Sequence, residues 1–150
     1  MNRWKYLIIL LTAILPASCD FADIEPPPYI ITRPVFSITA RPPVFNYAGI
    51  TFEFLNKSGK TVNSVSVSFM LFDARTKTSP FTGSNVFNIT KPDSVPPNEK
   101  KEICISLDWY IHIAPAEPYL IDFFYISEIQ YADGSVWQDK NGLFYTGTVK

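Results

Sequence analysis

Residues Ser64 to Asp73 read SVSVSFMLFD, and this stretch constrains the fold more than any other. Val65, Val67, Phe69 and Leu71 alternate with Ser64, Ser66 and Ser68. Successive side chains of a strand point to opposite faces, so strict alternation predicts a half-buried strand of an antiparallel sheet. At Met70 and Phe72 the outward face turns apolar, which calls for cover at that end.

The same reading extends along the chain. Val35–Ala40 is a first strand, stopped by Arg41-Pro42-Pro43. Gly49–Asn56 places Ile50, Phe52 and Phe54 on one face, and Lys57–Lys60 is a turn. Asn85–Thr90 is a shorter strand, followed by a turn at Pro96–Glu99. Lys101–Ile111 alternates again through Ile103, Ile105, Leu107, Trp109 and Ile111. A loop bracketed by Pro115 and Pro118 leads to a long apolar strand, Tyr119–Tyr131. Asp133-Gly134 predicts a two-residue hairpin into Ser135–Gln138, and Gly142–Val149 offers a last strand. Twelve Phe, eight Tyr and only six Gly suit strands better than helices. About seven short strands with frequent turn signals predict an all-β, immunoglobulin-like antiparallel β-sandwich, with a small barrel as runner-up. The disulfide and tryptophan of antibody domains have no counterpart here.

The N-terminus follows a different logic. Arg3 and Lys5 precede the uncharged run YLIILLTAIL, residues 6–15, which Pro16 ends before the small residues Ala17 and Ser18. A charged start, an apolar middle and a small-residue end make a secretory signal peptide, and the run is shorter than the roughly 20 residues a spanning helix needs. Leu15-Pro16-Ala17-Ser18-Cys19 resembles the lipobox of bacterial lipoproteins, with Pro16 where that family prefers an aliphatic residue. The resemblance implies cleavage between Ser18 and Cys19, a diacylglycerol on the Cys19 thiol and a further fatty acid, such as palmitate, on the new amino terminus. Two or three acyl chains anchor stably where one does not. The expected organisation is a signal peptide over 1–18, a lipidated N-terminus and proline-rich tether over 19–34, and a sandwich domain over 35–150. The weighed alternative for Tyr29–Thr32 is an edge strand, where flanking prolines are tolerated.

Removing Arg3 and Lys5 leaves 11 basic residues against 14 acidic ones, a net charge of −3. That is no electrostatic footprint for nucleic acid. With Cys19 lipidated, Cys104 has no disulfide partner in the chain.

Phe69-Met70-Leu71-Phe72-Asp73 resembles the motif of the FxLYD domain, an immunoglobulin-like module of bacterial envelope proteins, with Phe72 in the place of its Tyr. The turn at Asn56–Lys60, the proline turn at Val95–Lys100 and the hairpin at Tyr131–Trp137 resemble further landmarks of that domain, over about residues 45–138. The resemblance implies a fold and an envelope location, and no chemistry.

Residues arranged for chemistry are few. His112 shares strand parity with Cys104 and Asp108, but lies about 27 and 13 Å from them along an extended chain, too far for a catalytic set. Its expected place is a surface or a loop. No metal-ligand spacing occurs, and Asp73, Asp93, Asp108, Asp122 and Asp133 are scattered, with Asp93 and Asp133 explained by turns. Cys104 lies on the polar parity of Glu102 and Ser106, where a small residue under a loop is the expected role and a reactive thiol the alternative. The sequons at Asn56 and Asn88 have no meaning in a bacterium. The remaining candidates are Trp109, Tyr110, Tyr131 and Trp137, which clustered at one end would stack on a sugar or anchor a partner; cross-strand packing is the competing role.

The sequence thus predicts a lipid-anchored module outside the cytoplasm, non-catalytic and without metal or cofactor beyond the Cys19 lipid. It would bind or assemble with an envelope protein. A glycan-binding adhesin is the alternative, and a cryptic hydrolase comes third.

Overall fold

The computed structural model describes residues 25–146. Its strands are β1 (Tyr29–Ile31), β2 (Val35–Ser37), β3 (Gly49–Asn56), β4 (Val62–Phe72), β5 (Val86–Val95), β6 (Lys100–Ser106), β7 (Leu120–Tyr131) and β8 (Val136–Gln138). All pairs are antiparallel. One sheet sets β3 between β6 and the pair β1 and β2, and the other runs β5-β4-β7-β8. The two pack face to face as an immunoglobulin-like β-sandwich, and the alternation along β3, β4 and β6 turns its apolar rows inward. Phe54, Phe69, Leu71, Ile103, Ile105 and Phe124 are fully buried between the sheets. The Phe124 ring meets Phe52 at 5.1 Å and Phe69 at 6.0 Å, which ties the sheets at the centre. Lys101 of β6 pairs with Asp93 of β5 and closes one flank.

β1 and β2 are two pieces of one edge strand, so eight segments make seven strands. The break falls at Thr32–Pro34, because Pro34 has no N–H to give the ladder. Thr32 bridges it by donating its N–H to Glu53 O (3.0 Å) and accepting the Glu53 N–H on its hydroxyl (2.9 Å). Sheet pairing therefore begins at Tyr29, six residues before the expected domain boundary at Val35, and of the stretch Tyr29–Thr32 the first three residues form an edge strand. The Cys19 site, with residues 19–24 of the expected tether, lies outside the described residues.

Other expectations shift for local reasons. β6 stops at Ser106, not Ile111: the amides of Tyr110 and Ile111 both fold back onto the Leu107 carbonyl. β5 runs on through Pro92 to Val95, as an edge strand can. In β7 the inward parity passes from Phe124 and Ile126 to Ile129 and Tyr131, because a bulge at Ser127 adds one residue; a second lies at Phe123, where φ is +47°. The Asp-Gly hairpin has a three-residue loop, not two. Gly134 N–H reaches Tyr131 O, Tyr131 N–H reaches Ser135 O, and of the loop residues Gly134 alone takes a positive φ (+83°). Of the expected last strand, Gly142–Val149, residues 142–146 form a turn and one bridge, Phe124 to Thr146, and residues 147–149 lie outside the described residues. The buried Asp139 carboxylate organises that turn by accepting the amides of Asn141, Leu143 and Phe144.

Candidate binding surfaces

The register defines two ends. Asn56, Tyr29, Val62, Val95 and Tyr131 gather at one, where the chain enters β1. Gly49, Ser106, Phe72, Val86 and Leu120 gather at the other. β4, whose 11 residues extend over about 36 Å, sets their separation.

At the entry end, Asn56 is fully buried. Its amide donates to the carbonyls of Lys60, Val95 and Pro96 at 2.8–3.1 Å and its Oδ1 accepts from Ser58, which locks the turn after β3. Lys60 pairs with Asp133 at 2.8 Å and lies 5.6 Å over the Tyr131 ring. The Lys60 and Ser135 hydrogen bonds hold the Asp133 carboxyl far below the usual carboxylate range.

At the far end, the loop after β6 carries the most exposed large apolar side chains of the described residues, Trp109 at 88% and Ile113 at 83%. Their loop is nonetheless fixed. Asp108 accepts the amides of Asn46 (2.7 Å) and Tyr47 (3.0 Å), with the Ala48 amide at 3.5 Å and the Asn46 side chain at 3.1 Å. Desolvation pushes this carboxyl up, but the amides of Tyr47, Asn46 and Ala48 outweigh it and hold it below its ordinary value. After Trp109, a series of rings runs Tyr110–Phe87–Phe81–Tyr119 edge-on and on to Phe36 in a tilted contact, at centroid spacings of 5.0–5.9 Å. Glu117, the remaining acid of the loop, pairs with Arg75. The tip from Trp109 to Ala116 has no Asp, Glu, Lys or Arg, and its His112 is exposed in that loop.

The four aromatics expected to cluster do not. Trp109 and Tyr110 lie at the far end; Tyr131 and Trp137 lie at the entry end. Tyr131 is only 6% exposed. Trp137 packs edge-on against Tyr29 at 5.4 Å and beside Phe144 at 6.2 Å. The inward parity of the β7–β8 hairpin is the reason: Ile129 pairs Trp137 on the core side. Ile113 and Tyr47 went unnamed in the sequence: Tyr47 is a single aromatic in a proline-rich loop, and Ile113 continues the alternation of Ile103–Ile111, which reads as a strand face and not as an exposed tip.

Cys104 sits half-buried on the outer face of β6, as its parity predicts. The Arg41 guanidinium lies 3.0 Å from its sulfur and 2.7 Å from Glu102. The aspartates serve turns and clamps: Asp73 accepts the amides of Arg75 and Thr76, which hold its carboxyl below the ordinary value. Among the described residues, no group of three His, Cys, Asp or Glu is placed to hold a metal.

No family model matches the chain, and no curated protein matches it. A hypothetical protein of Peptoclostridium difficile 630, solved by X-ray crystallography at 1.85 Å, is similar in fold. Its TM-score is 0.56 at 12% identity, over 83% of this chain and 95% of that one. At that identity the likeness concerns the fold alone.

Proposed function

We propose that the chain is a lipid-anchored envelope protein whose sandwich is a non-catalytic docking module for another envelope protein. One observation carries the reading: the chain enters at Tyr29, and the exposed Trp109–Ile113 tip stands at the opposite end of the sandwich. An anchor at Cys19 would place the membrane on the entry side and turn the tip outward. The lipobox-like Leu15–Cys19 and the Pro26–Pro28 spacer support the tether. The FxLYD-like landmarks support an envelope module.

A protein partner fits the tip best. Trp and Tyr dominate the binding energy of protein interfaces, and uncharged centres are the rule there. The Asp108 clamp pre-organises the loop, which lowers the entropy lost on binding. A glycan site made of all four aromatics together is not supported, because they stand at opposite ends.

Metabolic labelling with a fatty acid tests the anchor. Label should enter the wild-type chain and be absent from Cys19→Ser; label retained in the serine variant contradicts it.

A further inference from the structure

The outer face of the β5-β4-β7-β8 sheet has a surface the docking role leaves unused. On β4 the outward Ser66 has a side chain too short to fill the space between its neighbours. Taller side chains rise on both sides, Asn88 and Thr90 on β5 and Tyr125 and Glu128 on β7. The result is an open cleft of about 470 Å³, within the range of small-ligand sites.

Its chemistry is hydroxyl and amide. Ser66 and Thr90 bond each other at 2.8 Å, and Gln138 donates to Glu128 at 2.8 Å. The side chain of Asn88 and the hydroxyl of Tyr125 have no hydrogen-bond partner among the described residues, so both are available to a ligand. Asp139 at the margin is spent on backbone amides. The charged side chains of the lining are Glu128, Asp139 and Lys140, two acids against one base. Tyr125 adds a ring, set edge-on to Phe123 at 5.4 Å, at the cleft's side.

We infer that this cleft binds a neutral oligosaccharide. Polyhydroxyl ligands are recognised by amide and hydroxyl side chains that donate and accept at once, with an aromatic ring against the sugar's apolar face. An apolar peptide would leave the serine and asparagine groups unpaired on burial, which costs affinity. An anionic ligand finds no excess of positive charge. A neutral sugar matches the donor–acceptor set and meets no repulsion from the acidic excess.

The test is titration of the full chain with cellohexaose, maltohexaose, chitohexaose and hexagalacturonate, followed by saturation-transfer NMR and calorimetry. At least one neutral hexamer should bind, and bind better than the anionic one. Asn88→Ala and Tyr125→Ala should each weaken it at least about tenfold, the loss of one good hydrogen-bonding or stacking partner. Asn88 is an exposed edge residue, so its variant should unfold at the wild-type temperature; Lys57→Ala, at the distant turn, should bind as wild type. No binding of any neutral hexamer, preference for hexagalacturonate, or binding unchanged in Asn88→Ala would overturn the inference. So would sedimentation showing that this face instead pairs two copies of the chain.

Discussion

The carboxylate of Asp108 accepts the backbone N–H of Tyr47 at 3.0 Å across 61 residues of chain. This bond, with its neighbours from Asn46 and Ala48, joins the loop before β3 to the loop after β6. Its removal should loosen the tip without dismantling the sandwich. Asp108→Ala should cost about 1–2 kcal/mol, the range for losing a side chain that caps backbone amides. Hydrogen exchange should then accelerate at Asn46–Ala48 and in residues 107–113, while β4 and β7 stay protected.

The same group sets a pH dependence. A carboxyl whose folded pKa is depressed contributes stability above its unfolded value, near pH 4, and loses it as pH falls through the folded value. Asp73, Asp108 and Asp133 are all held low by hydrogen bonds. The unfolding temperature should therefore be flat near neutrality and fall below about pH 4. Asp108→Asn should show a shallower acid slope than wild type in thermal scans across that window.

Asn56 is the costliest polar residue to remove. Its amide satisfies three carbonyls at the entry end, in a site closed to water. Asn56→Ala should destabilise by about 2–4 kcal/mol, since buried carbonyls are left unpaired. Urea denaturation should show a lower midpoint with an unchanged slope.

Two glycines give a controlled contrast. Gly142 has φ of +66°, and a Cβ there would lie 2.9 Å from the Phe123 ring; Gly59 has open space around it. Gly142→Ala should lose about 1–3 kcal/mol, and Gly59→Ala should change little. Thermal melts of the pair separate local strain from any general intolerance of alanine.

Trp109 and Trp137 should behave oppositely. Trp137→Ala removes a ring packed on Tyr29 and should cost about 2–3 kcal/mol of stability. Trp109→Ala removes an exposed ring and should leave the melting temperature within about 2 °C of wild type, as surface substitutions do. Parallel melts decide which ring belongs to the core.

Residues with strict alternation were legible in the sequence. Val65 to Leu71 and Ile103 to Ile105 point inward as their parity requires, because a period of two leaves a strand one way to bury its apolar row. Alternation could not show where a strand ends. Trp109 and Ile111 keep the parity of β6, yet Asp108 turns the chain for a partner 61 residues away. Nor could it show the bulge at Ser127, where one added residue reverses the face of all that follows. The four candidate aromatics failed as a cluster for the same reason: their faces and ends depend on register with strands remote in sequence. The serine cleft was visible only as alternation, since its walls come from β5 and β7.

The central claim is that the sandwich docks a protein through the end opposite its anchor. Site-specific photo-crosslinking in the cells that make the protein tests it most directly, with benzoylphenylalanine placed at Trp109 or Ile113, and at Lys57 or Ala132 for the entry end. The account predicts a discrete protein adduct from positions 109 and 113 and none from 57 and 132. Adducts arising from 57 and 132 alone, or equally from all four positions, would contradict it.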